Sequence, residues 1–95
     1  DLTLDRRSNE LSAAGGAVTL TRLEYRMMEA LMLNRGIYLS TEELLVKTWG
    51  YESEAEQGAV WVYVSTLRKR LGAVGSGVRI QARRGVGYRL KAPDA

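Results

Sequence analysis

The basic side chains of the sequence are concentrated near its C-terminal end, in two short runs that suit contact with a polyanion. Arg68, Lys69 and Arg70 are consecutive, and Arg83 and Arg84 come directly before a Gly-Val-Gly stretch. Residues 58–95 contain eight Lys/Arg and one Asp/Glu, whereas residues 1–57 contain six Lys/Arg and ten Asp/Glu. Such an asymmetry indicates that one end of a small domain meets a polyanion such as nucleic acid. Charge alone leaves a solvated basic face equally open.

The residue types that most often perform catalysis or bind transition metals are absent. The 95 residues include no His and no Cys, which removes the commonest general base, the thiolate ligands and any disulfide. The carboxylates fall at predicted helix starts and in a polar loop, where capping and solvation explain them. Gly85 and Gly87 are too close together to cradle a nucleotide. We therefore expect no enzymatic activity, no cofactor and no metal site.

The N-terminal half has the pattern of a small antiparallel sheet followed by two helices. Leu2 and Leu4 alternate with polar residues, and a Gly-Gly turn at 15–16 precedes another extended run that ends at Leu20. Thr-x-x-Glu at 21–24 and Ser-x-x-Glu at 40–43 are capping boxes, which mark helix starts. The first helix is expected to end near residues 34–36 and the second at Gly50.

A third helix is predicted from about residue 54 to Leu71. Ser53 and Glu56 form a possible third capping box, and Gly72 is the expected stop. The inward stripe consists of Val60, Val64, Leu67 and Leu71. The opposite face carries Gly58, Ala59, Val62, Ser65, Thr66 and Lys69, with Trp61 and Arg68 on one shoulder and Tyr63 and Arg70 on the other.

Two alternating segments after residue 77 predict a β-hairpin over residues 78–91, with arginines at its tip. The whole is one α+β domain over residues 1–95, a winged helix-turn-helix with an N-terminal antiparallel sheet, three helices and a C-terminal hairpin, the wing. The length of the third helix suits the major groove of double-stranded DNA, and an arginine-tipped wing suits the minor groove.

Four stretches of the sequence resemble the effector domain of the OmpR/PhoB family of two-component response regulators. They are LTRLEY at 20–25, LVKTWG at 45–50, VYVSTLRKRL at 62–71 and, most specifically, RGVGYRL at 84–90. The resemblance covers nearly the whole chain. It implies a cytoplasmic transcription regulator that binds DNA as a homodimer and carries a phosphorylated receiver domain upstream of Asp1.

The resemblance also implies roles for individual residues. Trp49 would contact a backbone phosphate, Arg84 would enter the minor groove, and Tyr88 would touch phosphate or brace the wing. The predicted DNA-binding residues are Trp49, Ala59, Val62, Tyr63, Ser65, Thr66, Arg68, Lys69, Arg70, Arg83, Arg84 and Tyr88. The loop over residues 51–57 would contact RNA polymerase through Tyr51, Glu52, Glu54 and Glu56, although a solvated loop is the default interpretation.

The third helix departs from the family pattern. Gly58 and Thr66 stand where arginines are common, Trp61 where Asp is common, and Tyr63 where His is common. We therefore expect base readout to rely on apolar contacts, for example between Val62 or Ala59 and thymine methyl groups, and binding to rely on phosphates and the wing. Trp61 either packs on a shoulder of the helix and holds the loop or contacts polymerase or a neighbouring protomer.

Two other classes of function compete with DNA binding. Some winged helices bind proteins instead, but a protein-binding domain is expected to lack the Arg83-Arg84 tip and the basic end of the third helix. A small enzyme would require a convergent base and nucleophile, which the sequence does not provide. No apolar run is long enough to span a membrane.

Overall fold

The computed structural model describes residues 2–93, which form five strands and three helices in the predicted order. This arrangement confirms the predicted α+β winged helix-turn-helix class. The elements are β1 (Thr3–Asp5), β2 (Glu10–Ala13), β3 (Gly16–Thr19), α1 (Arg22–Leu33), α2 (Thr41–Trp49), α3 (Gln57–Ala73), β4 (Arg79–Arg83) and β5 (Gly87–Lys91).

The N-terminal strands form the predicted antiparallel meander in the order β1-β2-β3. Leu11 in the central strand is opposite Leu4 on one side and Val18 on the other. Leu11 is fully buried, so this row of apolar residues turns one face of the sheet towards the core.

Both predicted capping boxes are present. The Thr21 hydroxyl accepts from the backbone N–H of Glu24 at 3.3 Å, and the Glu24 carboxylate accepts from the backbone N–H of Thr21 at 3.0 Å. Ser40 and Glu43 make the same reciprocal pair, with both distances 3.0 Å. Each box satisfies two backbone donors that the helix itself leaves unpaired, which fixes where α1 and α2 begin.

The predicted start of α3 was wrong. The helix begins at Gln57, and Glu56 at its N-cap provides no side-chain cap. The Ser53 hydroxyl instead accepts from the backbone N–H of Ala55 at 3.0 Å. A serine can close a local turn as readily as it can cap a helix, and here the turn keeps residues 53–55 out of the helix.

The predicted stop of α3 at Gly72 was also wrong. Gly72 is helical, and the helix ends at Ala73. The backbone changes direction at Gly75, where φ is +69°, and the N–H of Ser76 donates to Leu71 O at 3.1 Å. Gly15 donates to Val74 O at 2.9 Å, so the turn also packs against the N-terminal sheet. Gly75 is therefore the residue whose left-handed conformation ends the helix.

The core lies between the three helices and the two sheets. The inward stripe of α3 is buried as predicted, with Val60, Val64 and Leu67 fully inaccessible. Ile80 and Leu90 are opposite each other in the wing and are also buried. Over residues 2–93, none of the helices combines the length and apolar character that crossing a bilayer requires.

The wing is attached to the segment between α1 and α2 by an isolated β-bridge. Leu39 N donates to Tyr88 O at 2.8 Å, and Tyr88 N donates to Leu39 O at 2.9 Å. The neighbouring Gly87 has a φ of +145°, and a Cβ there would collide with the carbonyl oxygen of Leu39. Glycine at position 87 thus allows the wing to lie directly against the start of α2.

Candidate nucleic-acid interface

The outward face of α3 is the first part of the candidate interface. Because its apolar stripe is buried, the helix turns its opposite side to solvent. Gly58, Val62 and Lys69 are exposed there, and Ser65 and Thr66 are half-buried. Trp61 is 61% exposed and Val62 is 53% exposed. Trp61 therefore leaves most of its surface open to solvent.

The angle between α2 and α3 is held by an aromatic pair. Trp49, the last residue of α2, meets Tyr63 of α3 with ring centroids 5.0 Å apart and ring planes at 83°. Both rings are half-buried against the core. An edge-to-face pair of this kind is favourable beyond its buried area, so these two residues position α3 as well as bordering its exposed face.

The wing tip is the second part of the interface. Arg83 and Arg84 are exposed at the end of the hairpin, where Val86 N donates to Arg83 O at 2.9 Å and Gly85 has a φ of +78°. The body of the hairpin is braced by Arg89, which donates to Gln81 Oε1 at 2.8 Å. Its guanidinium also donates to Gly36 O at 3.3 Å and lies 4.5 Å from the centre of the Tyr38 ring.

A groove of about 570 Å³ separates the wing tip from the helix starts. Residues 82–88 line one side, and Ser40, Thr41, Glu42 and Gln57 line the other. The start of α3 has no side-chain cap, so its unpaired backbone N–H groups and the helix dipole give it a partial positive charge, which favours a phosphate. The start of α2 is occupied by its capping box and carries Glu42, which disfavours a phosphate there. The sequence reasoning did not include Ser40, Thr41 or Gln57 among the site residues. The capping box at Ser40 marks a helix start, but only the bridge between Leu39 and Tyr88 places that start beside the wing.

Two of the five predicted cations are bonded within the fold. Arg68 donates from Nε and Nη2 to Ile80 O at 3.3 and 2.9 Å, which joins α3 to β4. Arg70 lies 3.6 Å from a Glu24 carboxylate oxygen, which joins α3 to α1. Within residues 2–93, the side chains of Lys69, Arg83 and Arg84 form no such pair. Of the five predicted cations, these three are therefore available to an external anion.

The remaining predicted residues have mixed surroundings. Thr66 donates its hydroxyl hydrogen to Val62 O at 3.2 Å, so the helix backbone already takes its one donor. Ala59 is half-buried on α3, and Tyr88 is half-buried at the groove. In the loop before α3, Glu52, Glu54 and Glu56 are exposed, and Tyr51 is 89% exposed.

Helix α3 behind α2, with a basic hairpin beside it, defines a winged helix-turn-helix protein. The family model described as "Transcriptional regulatory protein, C terminal" matches residues 15–90, and this chain belongs to that family. The protein described as Response regulator ArlR, from several Staphylococcus aureus strains, is 32% identical over 90 residues. That match covers 95% of this chain but 41% of the relative, so the chain spans less than half of the relative's length.

Solved structures share the fold over nearly the whole chain. The DNA-binding domain of the response regulator AdeR, in complex with an intercistronic region, has a TM-score of 0.82 and 27% identity, and covers 97% of this chain and 95% of its own. The Klebsiella pneumoniae RstA DNA-binding domain, in complex with the RstA box, has a TM-score of 0.76 and 26% identity, and the match covers 98% of this chain and 92% of the RstA chain. The DNA-binding domain of Escherichia coli CadC has a TM-score of 0.84 and 26% identity, and the match covers 97% of this chain and 87% of the CadC chain.

Proposed function

We propose that this chain binds double-stranded DNA sequence-specifically as the output domain of a two-component response regulator that controls transcription. Helix α3 enters the major groove, and the wing tip reaches the adjacent minor groove. The observation that carries the proposal is the pairing of an open face on α3 with two exposed arginines at the tip of the neighbouring hairpin. Two relatives of this fold, AdeR and RstA, are described in complex with DNA, which supports the same activity here.

The dimensions and charges suit this mode of binding. A helix of 17 residues is about 25 Å long, and the major groove is about 12 Å wide, so α3 can lie in it. Phosphates that flank the major groove of the DNA would meet the uncapped start of α3 at one end of the helix and Lys69 near the other. Arg84 is exposed at the wing tip and can enter a narrow minor groove, where the potential is most negative.

The proposal is tested by titrating the chain against a mixed-sequence duplex at several salt concentrations, with wild type and Arg84→Ala compared. Each neutralised phosphate adds about −0.9 to the slope of log affinity against log salt, and we expect a total of roughly −4 to −6. Arg84→Ala should weaken binding and flatten the slope. Arg7→Ala is the matched control, because Arg7 is exposed beside the N-terminal sheet, outside the interface.

Absence of binding at low salt would contradict the proposal if a covalently forced dimer of the chain also failed to bind. Binding by the forced dimer alone would mean that the chain needs a second copy. We infer that two copies of the regulator pair on DNA, in the cytoplasm. This pairing would be made through a receiver domain of the kind that response regulators carry. A forced dimer whose affinity does not depend on salt would also count against phosphate contacts.

The acidic loop before α3 is a proposed contact for RNA polymerase. Its exposed carboxylates and the exposed ring of Tyr51 lie on a segment opposite in charge to the DNA-binding end. Complementary charge favours docking to a basic surface of a partner. Reversing the charges of Glu52, Glu54 and Glu56 should not weaken DNA binding, because it adds cations, and should reduce transcription activation in a reconstituted assay. Normal activation by this variant would refute the loop contact.

A further inference from the structure

We propose that Val62 is a specificity-determining residue that reads the C5-methyl group of thymine in the major groove. The inference rests on the proposed function and adds the kind of base that α3 recognises. It follows from what the outward face of α3 exposes and from which polar groups are already bonded within the protein.

Val62 is the only one of the three valines of α3 that is turned outward. Val60 and Val64 are fully buried, whereas Val62 is 53% exposed. Helical rotation places Val62 nearly opposite the buried stripe, at the centre of the face that would enter the groove. Gly58, one turn earlier, has open space around its Cα, and Ser65 follows Val62 by almost one turn. These small neighbours let the helix approach base edges closely.

Val62 is the large apolar side chain of the outward face, and Lys69 is the one charged residue there. Trp61, which is 61% exposed, lies on a shoulder of the helix, about 100° around from Val62. In the major groove, the thymine methyl is the apolar group that Val62 can contact. Contact between the two removes apolar surface from water on both sides, which favours association.

The two arginines of α3, which could read guanine by paired hydrogen bonds, are engaged within the protein. The guanidinium of Arg68 is bonded to Ile80 O, and that of Arg70 is paired with Glu24. The Thr66 hydroxyl donates to Val62 O. The one amide of α3, Gln57, lines the groove beside the wing. Lys69, the free cation of the same face, lies almost two turns after Val62, so the part of the face around Val62 keeps apolar contact as its means of discrimination.

The test uses the effect of single methyl groups on DNA. A duplex selected by wild type from a random pool is synthesised with each thymine replaced in turn by deoxyuridine, which removes the methyl and keeps the pairing edge. We expect one or two positions in the major-groove half to lose about fourfold in affinity, the effect of one buried methyl group. Val62→Ala should bind the thymine and uracil duplexes with nearly equal affinity at the same positions.

Ile37→Ala is the matched protein control, because Ile37 is 61% exposed in the segment between α1 and α2. It should keep the full uracil effect. A selected duplex that tolerates uracil at every position would overturn the inference, as would an undiminished uracil effect in Val62→Ala. Failure of both the chain and its forced dimer to select any duplex at low salt would instead refute the proposed function, so the two failures are distinguishable.

Discussion

The three consecutive cations of α3 have three different surroundings. Successive residues of a helix point about 100° apart, so Arg68 faces the wing, Lys69 faces solvent and Arg70 faces α1. The structure bonds Arg68 to Ile80 O and pairs Arg70 with Glu24. Arg68 and Arg70 therefore join the helix to the rest of the fold, and Lys69 is the one residue of the run that is available to DNA.

Arg68→Ala is expected to lower the free energy of unfolding by about 1 to 2 kcal/mol, because it removes two charged hydrogen bonds to Ile80 O. Urea unfolding followed by circular dichroism measures this change. Arg68→Lys should recover part of the loss, because an ammonium can donate to the same carbonyl with fewer N–H groups.

Lys69→Ala is the control for this variant, since the side chain is exposed on the next position of the same helix. It should leave unfolding unchanged and make the salt slope of DNA binding about 0.9 less negative. Unchanged stability in Arg68→Ala, together with a loss of DNA affinity, would show that Arg68 acts on DNA and not on the fold.

The sequence was sufficient to predict which side of α3 is exposed, because periodicity alone determines it. The partners of Arg68 and Arg70 could not be predicted in the same way. Ile80 lies 12 residues after Arg68, and Glu24 lies on a different helix, so both pairs depend on tertiary packing. The same limit applies to the packing of Tyr63 on Trp49, which is an interhelical contact.

The end of α3 depends on two glycines with opposite conformational requirements. Gly72 is helical and a Cβ there meets no atom within 4 Å, whereas Gly75 has a φ of +69° and lies against Gly15. Gly72→Ala should raise the free energy of unfolding by about 0.5 kcal/mol, because alanine loses less backbone entropy on folding.

Gly75→Ala should lower the free energy of unfolding by about 1 to 2 kcal/mol, because an L-residue is strained in a left-handed conformation. Its Cβ would also lie 3.0 Å from Gly15 Cα. Thermal melts of the two variants provide the comparison. If Gly72→Ala lowered the melting temperature and Gly75→Ala did not, Gly72 would be the residue that ends the helix.

The capping box of α2 predicts an acid-dependent stability. Hydrogen bonds from the backbone and side chain of Ser40 lower the pKa of the Glu43 carboxyl, and Lys47 lowers it further. A carboxyl whose pKa is lower in the folded state stabilises the fold above its unfolded pKa, and this contribution is lost as the pH falls through the folded pKa. Unfolding free energy measured from pH 7 to pH 3 should therefore decline in part through Glu43.

Glu43→Gln should flatten that decline, because an amide can still accept from Ser40 N–H and does not titrate over this range. Glu42→Gln is the matched control, since Glu42 is the preceding residue and forms no part of the box. An acid decline that is identical in wild type and Glu43→Gln would contradict this role for Glu43.

Capping boxes identified two of the three helix starts because each uses residues three apart in the chain. The same signature failed at Ser53, where a turn involving Ala55 takes the hydroxyl. The local sequence pattern was thus sufficient to predict that the three helices exist. The bounds of α3 were instead determined by competing local hydrogen bonds and by contact of Gly75 with the N-terminal sheet.

The candidate interface is assembled by one non-local contact. The bridge between Leu39 and Tyr88 places the wing against the start of α2, and Gly87 allows that approach. The result is a groove lined by helix starts on one side and arginines on the other. Charge asymmetry in the sequence indicated a basic end. The groove could not be predicted, because it depends on the contact between Leu39 and Tyr88, which are 49 positions apart.

The placement of α3 and the wing on DNA can be mapped directly because the sequence contains no Cys. Single-cysteine variants Ser65→Cys on α3, Val86→Cys at the wing tip and Leu33→Cys at the end of α1 would each carry a DNA-cleaving iron chelate. Leu33 is 77% exposed and lies beside Leu4 of the N-terminal sheet, so it serves as the control position.

We expect the chelate at residue 65 to cleave the centre of the selected site from the major groove. The chelate at residue 86 should cleave the flanking base pairs, with the strand offset typical of the minor groove, and the chelate at residue 33 should not cleave. Cleavage from residue 33 in a complex that is fully formed, with none from residues 65 and 86, would contradict the proposed mode of DNA binding.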